Sequence, residues 1–165
     1  MSKIAIITGA SRGIGAATAR LAARDGYDVC VNYVADSAGA DAVVKACEAA
    51  GRRAIAVRAD ISKPEEVEAM FEACDKQLGP VSLLVNNAGV VGTATTVAEL
   101  PDAALRETFE VNVFGTIYCA RAAIRRMSTA RGGGGGGGGV IVNISSIAVN
   151  LGSPGEYVHY AASKG

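Results

Sequence analysis

No run of lysine and arginine in this chain is longer than two, and 16 basic side chains balance 16 acidic ones to a formal net charge of zero. That leaves no clustered positive charge of the kind that holds nucleic-acid phosphates. Long apolar runs are missing too, since no stretch approaches the roughly 20 apolar residues that cross a bilayer. The apolar start, Ile4 to Ile7, is too short for a secretory leader and runs straight into Gly and Ser turn residues. Cysteines are few and scattered: Cys30, Cys47, Cys74 and Cys119 form no CxxC pair, and the single histidine, His159, stands at no metal-ligand spacing from them. No metal, zinc knuckle or disulfide framework is expected, and isolated thiols in apolar surroundings act as small hydrophobes. A cytoplasmic, reduced protein without nucleic-acid or membrane partners is the expectation.

With half of its 165 residues apolar and 19% charged, the chain is long enough for one domain with a sizeable core. Its apolar pattern alternates between short continuous runs and stretches of helical period. The runs Ile4–Ile7, Tyr27–Tyr33, Ala54–Val57, Val81–Val85 and Val140–Ile144 read as strands, the first of them buried on both faces. Between them lie a helix from Ile14 to Asp25-Gly26, one capped by Asp36 or Ser37 and stopped by Gly51, and one behind a Ser62–Glu65 capping box. Residues 102–127 keep Leu105, Phe109, Val113 and Ile117 in helical register, as two helices run together. Such alternation predicts an α/β fold, a Rossmann-like doubly wound and mostly parallel sheet with right-handed crossovers. The eight glycines at 132–139 lead into a strand, not a helix, so they read as a flexible surface connection and not as a phosphate cradle.

The phosphate cradle is expected elsewhere. Thr8-Gly9-Ala10-Ser11-Arg12-Gly13-Ile14-Gly15 follows the first strand and opens a helix, which is the context a dinucleotide needs. There the glycines let the backbone turn and approach a pyrophosphate, and the helix N-terminus favours its charge. A tight turn without a ligand is the plain alternative. The second strand ends Val31-Asn32-Tyr33, whose Asn32 and Tyr33 are expected against the cofactor; no carboxylate stands at the tip to accept from a ribose 2'-OH, and Arg12 is near enough to meet a 2'-phosphate. NADP is favoured over NAD on that ground, with Asp36 close enough in sequence to keep NAD open.

This segment resembles the TGxxxGxG cofactor motif of the short-chain dehydrogenase/reductase family, and the resemblance extends down the chain. Asp60 with Ile61 after the third strand, and Asn86-Asn87-Ala88-Gly89 at the end of the fourth, are similar to that family's adenine-pocket and sheet-stabilising motifs. Tyr160-Ala-Ala-Ser-Lys164-Gly resembles its YxxxK active-site motif, and Asn112 in Val-Asn-Val-Phe-Gly its fourth catalytic position. The family's 3-oxoacyl carrier-protein reductases and sugar dehydrogenases (glucose 1-dehydrogenase among them) look nearest.

The resemblance implies an oxidoreductase acting on CH–OH groups of a small molecule. Tyr160 would pass a proton to a carbonyl oxygen as hydride arrives, the Lys164 cation would stabilise the phenolate and hold the nicotinamide ribose, both residues would thus meet the cofactor, and Asn112 would support the relay. A serine after the fifth strand would orient the substrate: Ser146, with Ser145 open because the spacing from Ser146 to Tyr160 is one residue longer than is common there. His159 reads as structural or at the substrate rim, and Tyr157 lacks a cation four residues on.

The resemblance also implies a homotetramer or dimer at full length. Because the family ordinarily continues beyond the lysine, residues 1–165 are expected to be a single dinucleotide-binding domain that is C-terminally incomplete, truncated after the fifth strand. A non-catalytic dinucleotide-binding fragment is the alternative. An S-adenosylmethionine methyltransferase is disfavoured by the missing acidic residue on the second strand and by the Tyr160–Lys164 pair.

Overall fold

The structure, a computed structural model, describes residues 3–131 and 138–165. Most of the expected glycine connection, residues 132–137, lies outside the described residues. Five strands, β1 (Ile4–Ile7), β2 (Asp28–Tyr33), β3 (Ala54–Arg58), β4 (Leu83–Asn86) and β5 (Val140–Asn143), form one sheet in the order β3-β2-β1-β4-β5. Every pairing is parallel. The fold is therefore the Rossmann-like, doubly wound arrangement that the alternating pattern predicts. It changes direction between β1 and β4, where open α/β sheets form their ligand crevice.

β1 is fully buried because both faces of the sheet are covered. On one face, Ala5, Ile7, Val29 and Val31 pack against α1 (Gly13–Arg24) and α2 (Ser37–Ala49), which supply Ala16, Ala19, Ala40 and Val43. On the other, Ile4, Ile6, Cys30 and Leu84 meet α3 (Pro64–Gln77) and the long helical stretch from 102 to 127, through Met70, Phe71, Cys119 and Ala123. All four cysteines are buried and free. Among the described residues, no group of three or more His, Cys, Asp or Glu could hold a metal ion, and no helix is long and apolar enough to cross a membrane.

Helix starts follow local chemistry, with one correction. Asp36, not Ser37, caps α2, its carboxylate accepting from the Gly39 N–H at 2.8 Å. The Ser62–Glu65 capping box does not form: α3 starts at Pro64 behind Lys63, which makes no side-chain cap. Ser62 Oγ instead donates to Asp60 Oδ1 at 2.7 Å, and Glu66, one residue beyond the expected partner, accepts from the Asp60 N–H at 2.8 Å. Proline at the first helical position removes one orphan donor, and Asp60 draws the serine back toward β3.

The stretch from 102 to 127 is one continuous helix whose middle loosens: α4 (Asp102–Phe109) passes through a π-helical segment (Glu110–Gly115) into α5 (Thr116–Met127). Two short helices, α6 (Ala148–Leu151) and α7 (Val158–Ser163), follow β5.

Candidate active site

The glycine loop turns between β1 and α1 because its backbone takes shapes that side chains resist. Gly9 and Gly13 have φ of +61° and +57°. A Cβ on Gly9 would sit 2.9 Å from Ala88 Cα, and one on Gly15 would sit 2.5 Å from both Asn87 Nδ2 and Gly9 O. The loop is thus pressed against the end of β4. Asn87 Nδ2 donates to Thr8 O at 2.9 Å and Gly9 O at 3.1 Å, and the Asn87 and Ala88 N–H groups both donate to Thr8 Oγ1 at 3.0 Å. α1 opens behind Arg12 with no side-chain cap, which leaves its first N–H groups facing outward from the loop.

Above the carboxyl ends of β1, β2, β3 and β4 lies a cavity of about 520 Å³. Gly9, Ser11, Arg12, Asn32, Tyr33, Asp60, Ile61, Asn87, Ala88 and Gly89, all expected at a cofactor, line it, whereas Gly13, Ile14, Gly15, Tyr160 and Lys164, expected there too, do not. Asp36 and Glu107 line it as well. Asn32 contributes differently from the expected strand-tip contact. It is 1% exposed, and its amide is committed inside the protein: Oδ1 accepts from the Gly9 N–H at 3.1 Å and Nδ2 donates to Ala59 O at 2.9 Å. It ties the glycine turn to β2 and the exit of β3.

A second group gathers where α7 meets the π segment and β5. Asn112 is buried there, its Oδ1 accepting from the Val90 N–H at 2.8 Å while Nδ2 donates to Val90 O at 2.9 Å and Ser163 Oγ at 2.8 Å. Ser163 Oγ in turn donates to Tyr160 O at 2.8 Å. Lys164 closes α7, one turn past Tyr160, and its Nζ donates to Ile144 O at 2.8 Å. Burial holds the Lys164 ammonium below the usual lysine range.

Ser145 and Ser146 part company. Ser145 Oγ donates to Lys164 O at 2.8 Å and lines a cavity of about 250 Å³ with Asn112 and Lys164. Ser146 Oγ accepts from the Ala148 N–H at 3.2 Å, at the start of α6. Gly89 joins the two regions: it lines the larger cavity, and a Cβ on it would lie 3.1 Å from Asn112 Oδ1 and 3.3 Å from Lys164 Nζ.

Sequence reasoning passed over Ser163 and Thr8 as site residues. Ser163 lies three residues past Tyr160, on the same short helix, and that spacing was the only signal for it. Thr8 was visible as the head of the glycine motif, but its role as acceptor for the β4 turn needs the tertiary fold.

Residues 3–165 match the sequence profile of the family described as short chain dehydrogenase. Over 162 residues the chain is 48% identical to the uncharacterized oxidoreductase YgfF of Escherichia coli, a match covering 98% of this chain and 64% of that protein. It is 39% identical over 163 residues to cis-4-hydroxycyclohexanecarboxylate dehydrogenase of Sinomonas cyclohexanicum, covering 99% of this chain and 62% of that one. Among solved structures it is similar to a short chain dehydrogenase from Burkholderia cenocepacia in complex with NADP, with a TM-score of 0.88 and 37% identity over 98% of this chain and 62% of the other. The chain thus spans less than two thirds of the length of these relatives. With the glycine loop, the parallel sheet and a match over nearly all its residues in agreement, the chain belongs to the short-chain dehydrogenase family.

Proposed function

We propose that the protein interconverts a small-molecule carbonyl and its secondary alcohol using NADP, with Tyr160 as the general acid and base. The observation that carries this reading is Gly89, shared between the cavity above the sheet and the Asn112–Lys164 group. A dinucleotide lying in that cavity would end beside the Lys164 ammonium and the Asn112 amide.

The residues fit such a cofactor. The glycine loop keeps Cβ atoms out of its inner face, α1 opens uncapped, and the helix N-terminus favours pyrophosphate charge. Arg12 and Tyr33 line the cavity near the β2 tip, and Asp36, three residues on, lines it too with its Oδ1 accepting from the Gly39 N–H. This donor set favours a 2'-phosphate, and the solved relatives in complex with NADP or NADPH support the same choice. When bound, the nicotinamide supplies or takes up the hydride.

This chain's own residues would then manage the proton and the substrate oxygen. A free phenol titrates near pH 10, too high for exchange at neutrality. A lysine ammonium held beside a phenol favours its phenolate, and that is the role proposed for Lys164 toward Tyr160. Lys164 is half-buried and already donating to Ile144 O, so its position is fixed. Asn112 braces both the β4 loop, at Val90, and α7, at Ser163. Ser146 is the proposed substrate-orienting serine, and Ser145, which lines the smaller cavity with Asn112 and Lys164, is the alternative.

Turnover of NADPH with a panel of ketones tests the reading. Tyr160→Phe should reduce kcat by a factor of about 10³ or more while NADPH affinity stays within a few-fold, as expected for a group acting only in the transition state. NADPH binding without turnover of any carbonyl would favour a dinucleotide-binding role alone. Comparing Ser145→Ala with Ser146→Ala assigns the serine.

A further inference from the structure

His159, the residue before Tyr160 in α7, is 3% exposed, and its Nε2 is buried with no hydrogen-bond partner. It is covered by the loop that leaves β4. Gly92 in that loop has φ +80°, and a Cβ there would fall 2.6 Å from His159 Nε2 and 3.3 Å from Thr108 Oγ1 of α4. The loop is fastened on either side of this point, at Val90 by the two bonds to Asn112 and at Thr95, whose N–H donates to Glu156 O at 2.8 Å. Between the two anchors, Val91 to Ala94 are exposed above, and the imidazole stands below. Gly89, next to Lys164 Nζ, is the near end of the same loop.

A buried polar atom left unpaired is costly, and an apolar ring of similar shape would avoid that cost. We propose that His159 is a positioning residue for the reaction: its ring seats the loop 89–96 over α7, and its unpaired Nε2 keeps that seat reversible. The loop's height sets the gap between the cofactor wall at Gly89 and the Tyr160–Lys164 pair. Reactive distances tolerate little error, so a loop that rides too high or is held too tightly slows turnover. This inference rests on the proposed carbonyl chemistry for its kinetic part, and its structural part stands apart from it.

The test compares His159→Ala with His159→Phe by hydrogen exchange at the amides of Val91 to Thr95, with NADPH bound. Removing the ring should speed exchange about tenfold or more, because the loop loses its support. Keeping a ring but removing the orphan nitrogen should slow exchange below the parent and raise Tm. A merely structural histidine would give faster exchange in both. In kinetics, both variants should lose several-fold in kcat with the Kd for NADPH within twofold, which separates positioning from cofactor binding.

Exchange in His159→Phe equal to or faster than the parent overturns the proposal, and it decides the matter alone if His159→Ala fails to fold. Kcat values within twofold of an active parent overturn the positioning role. A parent that turns over no carbonyl counts against the proposed function instead, and the exchange result still decides the loop.

Discussion

Replacing Gly9, Gly13 and Gly15 by alanine, one at a time, separates two reasons for a glycine that the loop combines. Gly13 has φ +57° and nothing within 4 Å of a Cβ, so only backbone conformation opposes a side chain. The left-handed region costs an alanine about 1–2 kcal/mol, and the stiffer unfolded chain returns about 0.4–1, leaving Gly13→Ala about 1 kcal/mol less stable. Gly9 carries the same conformational cost at φ +61° and adds a contact at 2.9 Å to Ala88 Cα, a backbone atom that cannot swing aside. Overpacking of that kind costs about 1–3 kcal/mol more, which puts Gly9→Ala near 3.

Gly15 has no positive φ, but its Cβ would strike Asn87 Nδ2 and Gly9 O at 2.5 Å. The Asn87 amide must then give up one or both bonds to the turn. At about 1 kcal/mol per bond plus overpacking against the backbone atoms Gly9 O and Ala10 Cα, and less the gain of alanine over glycine in a helix, Gly15→Ala also comes to about 3 kcal/mol. Urea denaturation at constant m measures all three, and in thermal melts each kcal/mol appears as a fall of about 2–4 °C. Gly9→Ala and Gly15→Ala should lose comparably, and Gly13→Ala the least. A Gly13→Ala protein as damaged as Gly9→Ala, or a Gly15→Ala protein as stable as the parent, would refute the assignment of close approach to one pair and bare conformation to the third.

Two further outcomes concern the rest of the molecule. No thiol should react with an aromatic disulfide reagent at pH 8 in the folded protein, and all four should react in guanidinium. Burial pushes Cys119 up to about 12 and raises Cys47, while the Cys74 thiol and burial together raise Cys30. A fast native thiol would contradict the packing of both core faces. Asp28→Asn should destabilise the protein by about 2–3 kcal/mol at neutral pH, as loss of charged bonds does. Asp28 accepts from Arg53 N and Nε at 3.1 and 2.8 Å and pairs with Arg52 at 2.7 Å. Burial acts to raise its pKa, but the Arg53 bonds and the two arginine charges outweigh it, leaving the carboxyl below the usual aspartate range. The stabilisation is full above about pH 4–5 and is lost as pH falls through the folded value, so parent and variant should converge in acid. A gap that stays constant down to pH 2 would sink the ion-pair account.

Strand positions were legible because burial on both sides of a parallel sheet leaves continuous apolar runs, as at Ile4–Ile7 and Val29–Val31; the face of the 102–127 helix was not, since Leu105 and Ile117, in register with Phe109 and Val113, are exposed while Thr108, Asn112 and Cys119 are buried. Side-chain partners were less so. Ser62 has the spacing of a capping residue, yet Asp60 lies two residues back and competes for the same hydroxyl, and only the path of the chain out of β3 decides between them. Asn32 reads as a polar residue at a strand tip facing a ligand, although its amide is fully used between Gly9 and Ala59. The π segment is invisible to an apolar count, because six residues are too few to tell a wider turn from an ordinary one. His159 shares its helix with Tyr160, but the loop that buries it comes from residues far away in sequence.

A π turn is an ordinary helix carrying one surplus residue, and deleting a residue between Glu110 and Gly115 would let α4 and α5 close into a regular rod. The repaired helix would have better hydrogen-bond geometry. Because the wider turn absorbs the surplus residue, α4 and α5 would keep their faces, and the side chains between them would shift round the axis instead. Asn112 could then face both Val90 and Ser163 only by dragging α4 off the sheet. A change that improves the local helix would thus unfasten the loop after β4 from α7, and it marks this irregularity as the joint on which two otherwise separate stretches of chain share one amide.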